Sequence, residues 1–287
     1  MGDKKRTPES IWRMKKENRK ITLLTAYDAN LASLIDRVDV DIILVSDAVG
    51  TIGLGRQSGL SVTVGEMAYH TQAVKNAVVS ALVVTAMPYG SYATVEKGIT
   101  SATTLIKEGH ADAVHIEGGK DYAPLIEALT AAGIPVLAHI GLNKVIIART
   151  GQTQVQGGNS GQALHVLHDA LAVDRAGAFA TMIECVPDRV TAIISEILSI
   201  PVIGIGAGPH CDGQALVTQD MLGLFPMSAR FIKKYANLAE DIQDSLLEYS
   251  KEVQAGSFPD SRYSYGISDA EFDKFCATLK DEIGDLK

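Results

Sequence analysis

The chain has 287 residues, of which 46% are hydrophobic and 21% charged. That composition belongs to a globular protein and excludes disordered, collagen-like and coiled-coil classes. Lys and Arg total 26 against 34 Asp and Glu, a net charge of −8, so the chain as a whole is a poor partner for nucleic acid.

From the N-terminus, residues 1–10 (MGDKKRTPES) are basic but lack an apolar core, so no signal peptide is expected. Arg6 stands where a myristoylation motif needs Ser or Thr. Residues 7–18 read as a helix with Thr7 as N-cap and Pro8 at the first helical position. Seven short apolar, β-branched runs follow: ITLLTAYD (21–28), VDIILVSD (40–47), ALVVTAMP (81–88), ADAVHIEGG (111–119), IPVLAHIGL (134–142), FATMIECVP (179–187) and IPVIGIGAG (200–208). They lack polar alternation, as expected of parallel strands buried on both faces. Helical patterns lie between them, at 65–78, 94–109, 163–177 and 189–199. Repeated βα units imply right-handed crossovers. With a weaker eighth strand at 219–225, they predict an α/β fold, a (β/α)8 TIM barrel; an open doubly wound sheet is the alternative.

Residues 231–256 form a long amphipathic pattern ending at Gly256. Ser268 and Glu271 then make a capping box for a last helix over 269–283. Its apolar stripe, Phe272, Phe275, Leu279 and Ile283, is expected to pack on the barrel or on a neighbouring subunit. No Pro-, Gly- or Ser-rich linker separates domains. The expectation is one domain over 1–287, with a barrel core at about 20–226 and helical additions at both ends, the C-terminal one over 229–287. No apolar run reaches the ~20 residues that span a bilayer. Cys185, Cys211 and Cys276 form no CxxC pair, and an odd count argues against a disulfide framework, so the cytoplasm is the expected compartment.

TIM barrels carry their active sites at the C-terminal ends of the strands. Those ends hold Thr25, Tyr27 and Asp28, then Asp47, His115, Glu117, His139 and Glu184. One such acid alone would be a helix cap or a solvated loop residue. Three at matching strand ends point to function, because buried carboxylates must be paired, protonated or metal-bound. A cluster rich in oxygen donors suits a hard cation such as Mg²⁺. His139 reads equally as a substrate contact or a satisfied core histidine. The loop with Gly50, Gly53, Gly55 and Gly59 has no phosphate-binding motif and reads as a lid or substrate loop. IGIGAG (203–208) reads first as a tightly packed turn and second as a phosphate cradle.

These segments resemble the ketopantoate hydroxymethyltransferase family of the phosphoenolpyruvate mutase/isocitrate lyase superfamily. The likeness runs over about 8–264 and rests on TAYD (25–28), DIILVSDAVG (41–50), SVTVGEMAYHT (61–71), ADAVHIEGG, GIPVLAHIGL (133–142), VQG (155–157), ECVP (184–187), SIPVIGIGAG (199–208), CDGQ (211–214) and LGLFP (222–226). The resemblance implies a Mg²⁺-dependent transfer of a one-carbon unit from 5,10-methylenetetrahydrofolate to C3 of a 2-oxo acid, through an enolate, in pantothenate biosynthesis. It implies metal ligation by Asp47 and Glu117, acid–base chemistry at Glu184 and a pocket role for His139. It also implies a homo-oligomer, a decamer in the family pattern.

The resemblance breaks inside the pocket. Ala86 stands where the family has a metal-binding Asp, Ala48 where it has Ser, and His115 where it has a Lys that holds the substrate carboxylate. Gly158 replaces a frequent Arg, and Gln57-Ser58-Gly59-Leu60-Ser61 replaces Asp-Ser-Thr-Leu-Pro. Asp47, Ala48, Ala86 and His115 are therefore the expected substrate-side positions. Changes gathered at the mouth imply altered substrate or metal use. The readings, in order, are a hydroxymethyltransferase acting on 3-methyl-2-oxobutanoate or a relative, a lyase, folate-independent aldolase or hydrolase of the same superfamily, and a catalytically silent paralogue.

Overall fold

In the computed structural model the apolar runs become parallel strands: β1 (Ile21–Thr25), β2 (Ile42–Val45), β3 (Leu82–Ala86), β4 (Ala113–Glu117), β5 (Val136–Gly141), β6 (Ala180–Glu184), β7 (Val202–Ile205) and β8 (Gly213–Leu216). Each pairs with the next, and β8 pairs with β1, so the sheet is a closed barrel. The structure describes residues 5–151, 153–225 and 229–283, without the side chains of 149, 280, 281 and 283. Pro226 of the LGLFP segment and the Ile283 side chain of the apolar stripe thus lie outside the described residues.

Strands β2 to β5 are buried at every position, as their unbroken apolar character predicts. One set of side chains faces out to the helices: Ile43, Val83, Val114, Ile116, Ala138 and Ile183 pack against helical residues such as Met67, Leu105, Ile126 and Val173. The other set fills the barrel: Leu23, Ile42, Leu82, Val84, Leu137, Met182 and Ile203. Helix α1 (Pro8–Lys16) adds Ile11 and Met14 to this inner cluster. Each such side chain contributes about 1.5–3 kcal/mol when fully buried. Thr7 caps α1 in a reciprocal capping box with Ser10.

The helices that follow are α2 (Ala29–Arg37), α3 (Val49–Ile52), α4 (Val64–Lys75), α5 (Val95–Lys107), α6 (Ala123–Ala131), α7 (Lys144–Thr150), α8 (Ser160–Arg175), α9 (Asp188–Ile197) and α10 (Thr218–Met221). Their starts are read from side-chain caps: Asp28 for α2, Thr63 for α4, Thr94 for α5, Asn143 for α7 and Asn159 for α8.

Two sequence expectations are corrected here. The eighth strand is Gly213–Leu216, not 219–225. Gly213 is needed because a Cβ there would sit 2.5 Å from the Ile21 carbonyl oxygen, and it lets β8 close against β1. Residues 218–221 instead turn into α10, with Thr218 bonded through its hydroxyl to the Thr25 carbonyl at 2.6 Å. The long C-terminal helix begins at Leu238, not at 231, because Phe231 is held over Gly206 and lines the cavity described below.

Residues from Asn237 onward form a second compact unit. It holds α11 (Leu238–Ala255), closed by Gly256 in the left-handed region, and α12 (Asp269–Ile283). Phe258 packs edge-on against Tyr249 and at a tilt against Tyr263. Phe272 and Phe275 lie about half exposed on α12.

Candidate active site

Strand register sets the site. Ala86 pairs with His115, Glu117 with His139, and Gly141 with Glu184, so successive strands deliver their polar ends to one mouth. That mouth opens into a cavity of about 560 Å³, lined by Asp47, Ala48, His115, Glu117, His139 and Glu184. Three acids and two histidines predicted from the strand ends are therefore together.

Other expected residues take structural roles. Asp28 is exposed and caps α2. The Tyr27 hydroxyl bonds to Ser46 at 2.9 Å. Thr25 lines the cavity and accepts the Thr218 backbone N–H. Ala86 is fully buried beside His115 and does not line the cavity. Gly158 is exposed, its N–H donating to Gln162. In the glycine-rich loop, Gly59 reaches the cavity, and a Cβ there would sit 2.7 Å from the Asp47 carbonyl oxygen. The close approach of loop and acid thus depends on that glycine. Gly204 and Gly206 are packed tightly by Cys211 and Phe231, the packing reading of IGIGAG.

One residue was absent from the sequence reading. Lys144, the first residue of α7, places Nζ 2.5 Å from Asp47 Oδ2 and 3.1 Å from Glu117 Oε1. Its backbone N–H donates to Glu117 Oε2 at 2.7 Å. Asp47 and Glu117 are buried, at 8% and 9% side-chain exposure, and Lys144 is largely covered at 16%. Burial alone would lower the lysine, but the two carboxylates raise it above its ordinary value, so the group is an ammonium. Burial also opposes ionisation of Glu117, yet Lys144, and after it His139, hold that carboxyl down at about 2. For Asp47 burial prevails and pushes the carboxyl up, against the pull of Lys144.

A second chain of groups runs alongside. His115 Nε2 lies 3.1 Å from His139 Nδ1, and His139 Nε2 lies 3.2 Å from Glu184 Oε2. The last approach is close but not aligned as a hydrogen bond, and His115 Nδ1 has no partner among the described residues. Burial, with the neighbouring His139, drives His115 down to about 3, so it is neutral. Burial works against charge on His139 too, but Glu184 and Glu117 outweigh it and raise that imidazole above its ordinary value. His139 Nδ1 and His115 Nε2 share one hydrogen bond between the rings. Beyond Glu184, Cys185 adopts φ +52°, a left-handed conformation that is unusual for a side-chain-bearing residue. Its N–H and carbonyl are both fixed by backbone bonds, to Ile205 and Gln156.

His115, Glu117 and His139 are a group whose composition could hold a metal ion, with donor atoms within 4.8 Å of one another. The donors are already engaged, however. The histidines face each other, and Glu117 accepts the Lys144 backbone N–H at one oxygen and pairs with its ammonium at the other. A dication on Asp47 and Glu117, about 4 Å from the ammonium, would meet a repulsion of roughly 8 kcal/mol at an effective dielectric near 20. Position 86, beside His115, carries a buried alanine and adds no carboxylate to offset this. With Lys144 in place, the residues present do not fit a resident divalent ion.

Comparison with known proteins adds identity to this geometry. Residues 5–261 match the family model described as ketopantoate hydroxymethyltransferase. A 3-methyl-2-oxobutanoate hydroxymethyltransferase of Pelobacter propionicus is 47% identical over 264 residues, 91% of this chain and 98% of the relative. Its namesake from Pyrococcus furiosus is 44% identical over 92% of this chain and 93% of the relative. Among solved structures, a phosphoenolpyruvate phosphomutase from Streptomyces platensis superposes with a TM-score of 0.59 at 16% identity, over 96% of this chain and 99% of that one. A phosphonopyruvate hydrolase solved with oxalate and Mg²⁺ also gives 0.59, at 13% identity, over 98% and 100%. These structural likenesses show the barrel fold alone.

Proposed function

The chain belongs to the ketopantoate hydroxymethyltransferase family, and from that premise we propose that it transfers a one-carbon unit to C3 of a 2-oxo acid, 3-methyl-2-oxobutanoate or a close relative. The donor in this reading is 5,10-methylenetetrahydrofolate. The observation that carries it is the meeting of Glu184, His139 and His115 with the Asp47–Lys144–Glu117 group in one cavity at the strand ends.

Glu184 is the base that takes the C3 proton; it lines the cavity and is about a quarter exposed, so a substrate can reach it. His139, 3.2 Å away, orients that carboxylate and shares its charge. Neutral His115 backs His139 and offers the substrate a polar edge without a full charge. Loss of the C3 proton leaves an enolate, whose carbon bonds to the methylene carbon of the folate. That carbon's two bonds to nitrogen break, water supplies the hydroxyl group, and tetrahydrofolate leaves with two new N–H hydrogens, one from water and one the C3 proton taken by Glu184. Asp47 and Ala48 form the wall on the β2 side, where the smaller Ala48 leaves room for a bulkier C3 substituent.

The same reading makes the protein a cytoplasmic homo-oligomer acting on small molecules. The half-exposed Phe272 and Phe275 on α12 support subunit contact. Among the described residues, no helix is long and apolar enough to cross a membrane. Incubation with methylenetetrahydrofolate and a panel of branched 2-oxo acids tests the reaction. Hydroxymethylated product, with C3 deuterium exchange in heavy water, is the expected result. Neither product nor exchange with any member of the panel would overturn it.

A further inference from the structure

The Asp47–Lys144–Glu117 group has a shape that the reaction alone does not explain. Lysine at the first position of a helix is electrostatically unfavourable, because the helix N-terminus already carries partial positive charge. α7 nonetheless begins with Lys144, capped by Asn143, and carries the ammonium between Glu117 at the end of β4 and Asp47 just after β2. Those carboxylates are the pair that the family resemblance would give to a divalent ion. The acid that would complete such a site is replaced by the buried methyl of Ala86. A cation between the two carboxylates and the lack of an acid at position 86, beside His115, act in the same direction.

We propose that the Lys144 ammonium is the resident cation of this site, standing in place of a divalent metal, so that the chain's chemistry needs no metal ion. An ammonium has three hydrogens. The Asp47 hydrogen bond takes one and Glu117 stands as an ion-pair contact at 3.1 Å, which leaves a hydrogen for an oxygen bound in the cavity that Lys144 lines. In the proposed reaction that oxygen is the 2-oxo group, which gains negative charge as C3 loses its proton. A buried, preorganised N–H donor is then aimed where charge develops. The lysine stays protonated throughout, and no bond to it forms or breaks. The carboxylates keep it charged and fixed, which separates this role from that of an amine nucleophile.

The inference takes only the identity of the bound oxygen from the reaction proposed above, and its test reads binding. Mn²⁺ is the probe, followed by the loss of the free-ion paramagnetic signal and by metal analysis after dialysis. The wild-type protein, Lys144→Ala and Lys144→Ala/Asp47→Asn are compared. Wild type is expected to bind Mn²⁺ at least ~10-fold more weakly than Lys144→Ala, as removal of an adjacent cation requires. The double variant should lose that gain. Wild type that binds Mn²⁺ as tightly as Lys144→Ala overturns the proposal, whether at Asp47 or at the His115–Glu117–His139 group. If Lys144→Ala does not fold, Lys144→Met keeps the apolar stem and is compared in the same way. Wild-type thermal stability unchanged by Mn²⁺ supports the proposal independently. Borohydride trapping of a 2-oxo acid on Lys144 would overturn it, because the lysine would then be acting as an amine. A protein without turnover leaves all of these readouts intact, so failure of the reaction reading is separately visible.

Discussion

Replacing Lys144 by Met removes the charge and keeps most of the stem. Asp47 and Glu117, at 8% and 9% exposure, then face each other with no cation between them. Removing one partner of a buried pair costs about 3–5 kcal/mol. Asp47 relieves part of this by taking a proton, since burial already pushes its carboxyl above the ordinary 3.8. A loss of about 3 kcal/mol corresponds to a fall in Tm of roughly 6–12 °C for a chain of this size. A carboxyl raised in the folded state holds its proton more tightly there than in the unfolded chain. The folded variant therefore loses stability as pH rises from about 3.8 through its folded-state value. Thermal unfolding of wild type and Lys144→Met, compared at about pH 5 and about pH 8, reads both features. The deficit should be larger at the higher pH. An unchanged Tm at the higher pH, or a deficit that grows on acidification, would refute the assignment of Lys144 as a buried ammonium shared by two acids.

Glu184→Gln should lower C3 exchange by about 10²–10⁴-fold while leaving substrate affinity within a few-fold, measured by proton NMR and by ligand-binding titration. In the wild type, Glu117 is held down at about 2 against an ordinary 4.5, so its share of stability is complete above 4.5 and is lost as pH falls toward 2. Glu117→Gln should flatten that limb of an acid-denaturation profile. Gly59→Ala pushes a Cβ against the Asp47 carbonyl, 2.7 Å away, and should cost about 1–3 kcal/mol on thermal unfolding and raise KM more than it lowers kcat.

The barrel is readable because its strands are buried on both faces, which leaves runs such as IILV and LVVTA with no polar alternation. The eighth strand is not, because GQAL is short, starts with glycine and alternates exposed and buried positions. The apolar 219–225 segment looked more like a strand, but Thr218 ties its start to Thr25 and bends it into a helix. The site is readable where strand ends carry it, since register alone gathers Glu117, His139 and Glu184. Lys144 is not, because its meaning depends on Asp47 and Glu117, which are far from it in sequence and near only once the barrel closes. The local signal was a lysine following an asparagine cap, a cation where a helix start disfavours one.

The most direct measurement is C3 deuterium exchange of 3-methyl-2-oxobutanoate by the wild-type protein, stripped of metal and held in excess chelator. Exchange should proceed at the same rate with and without added Mg²⁺, because the cation that stabilises the enolate is Lys144. Exchange that vanishes in chelator and returns with Mg²⁺ would contradict this and return the site to a metal ion.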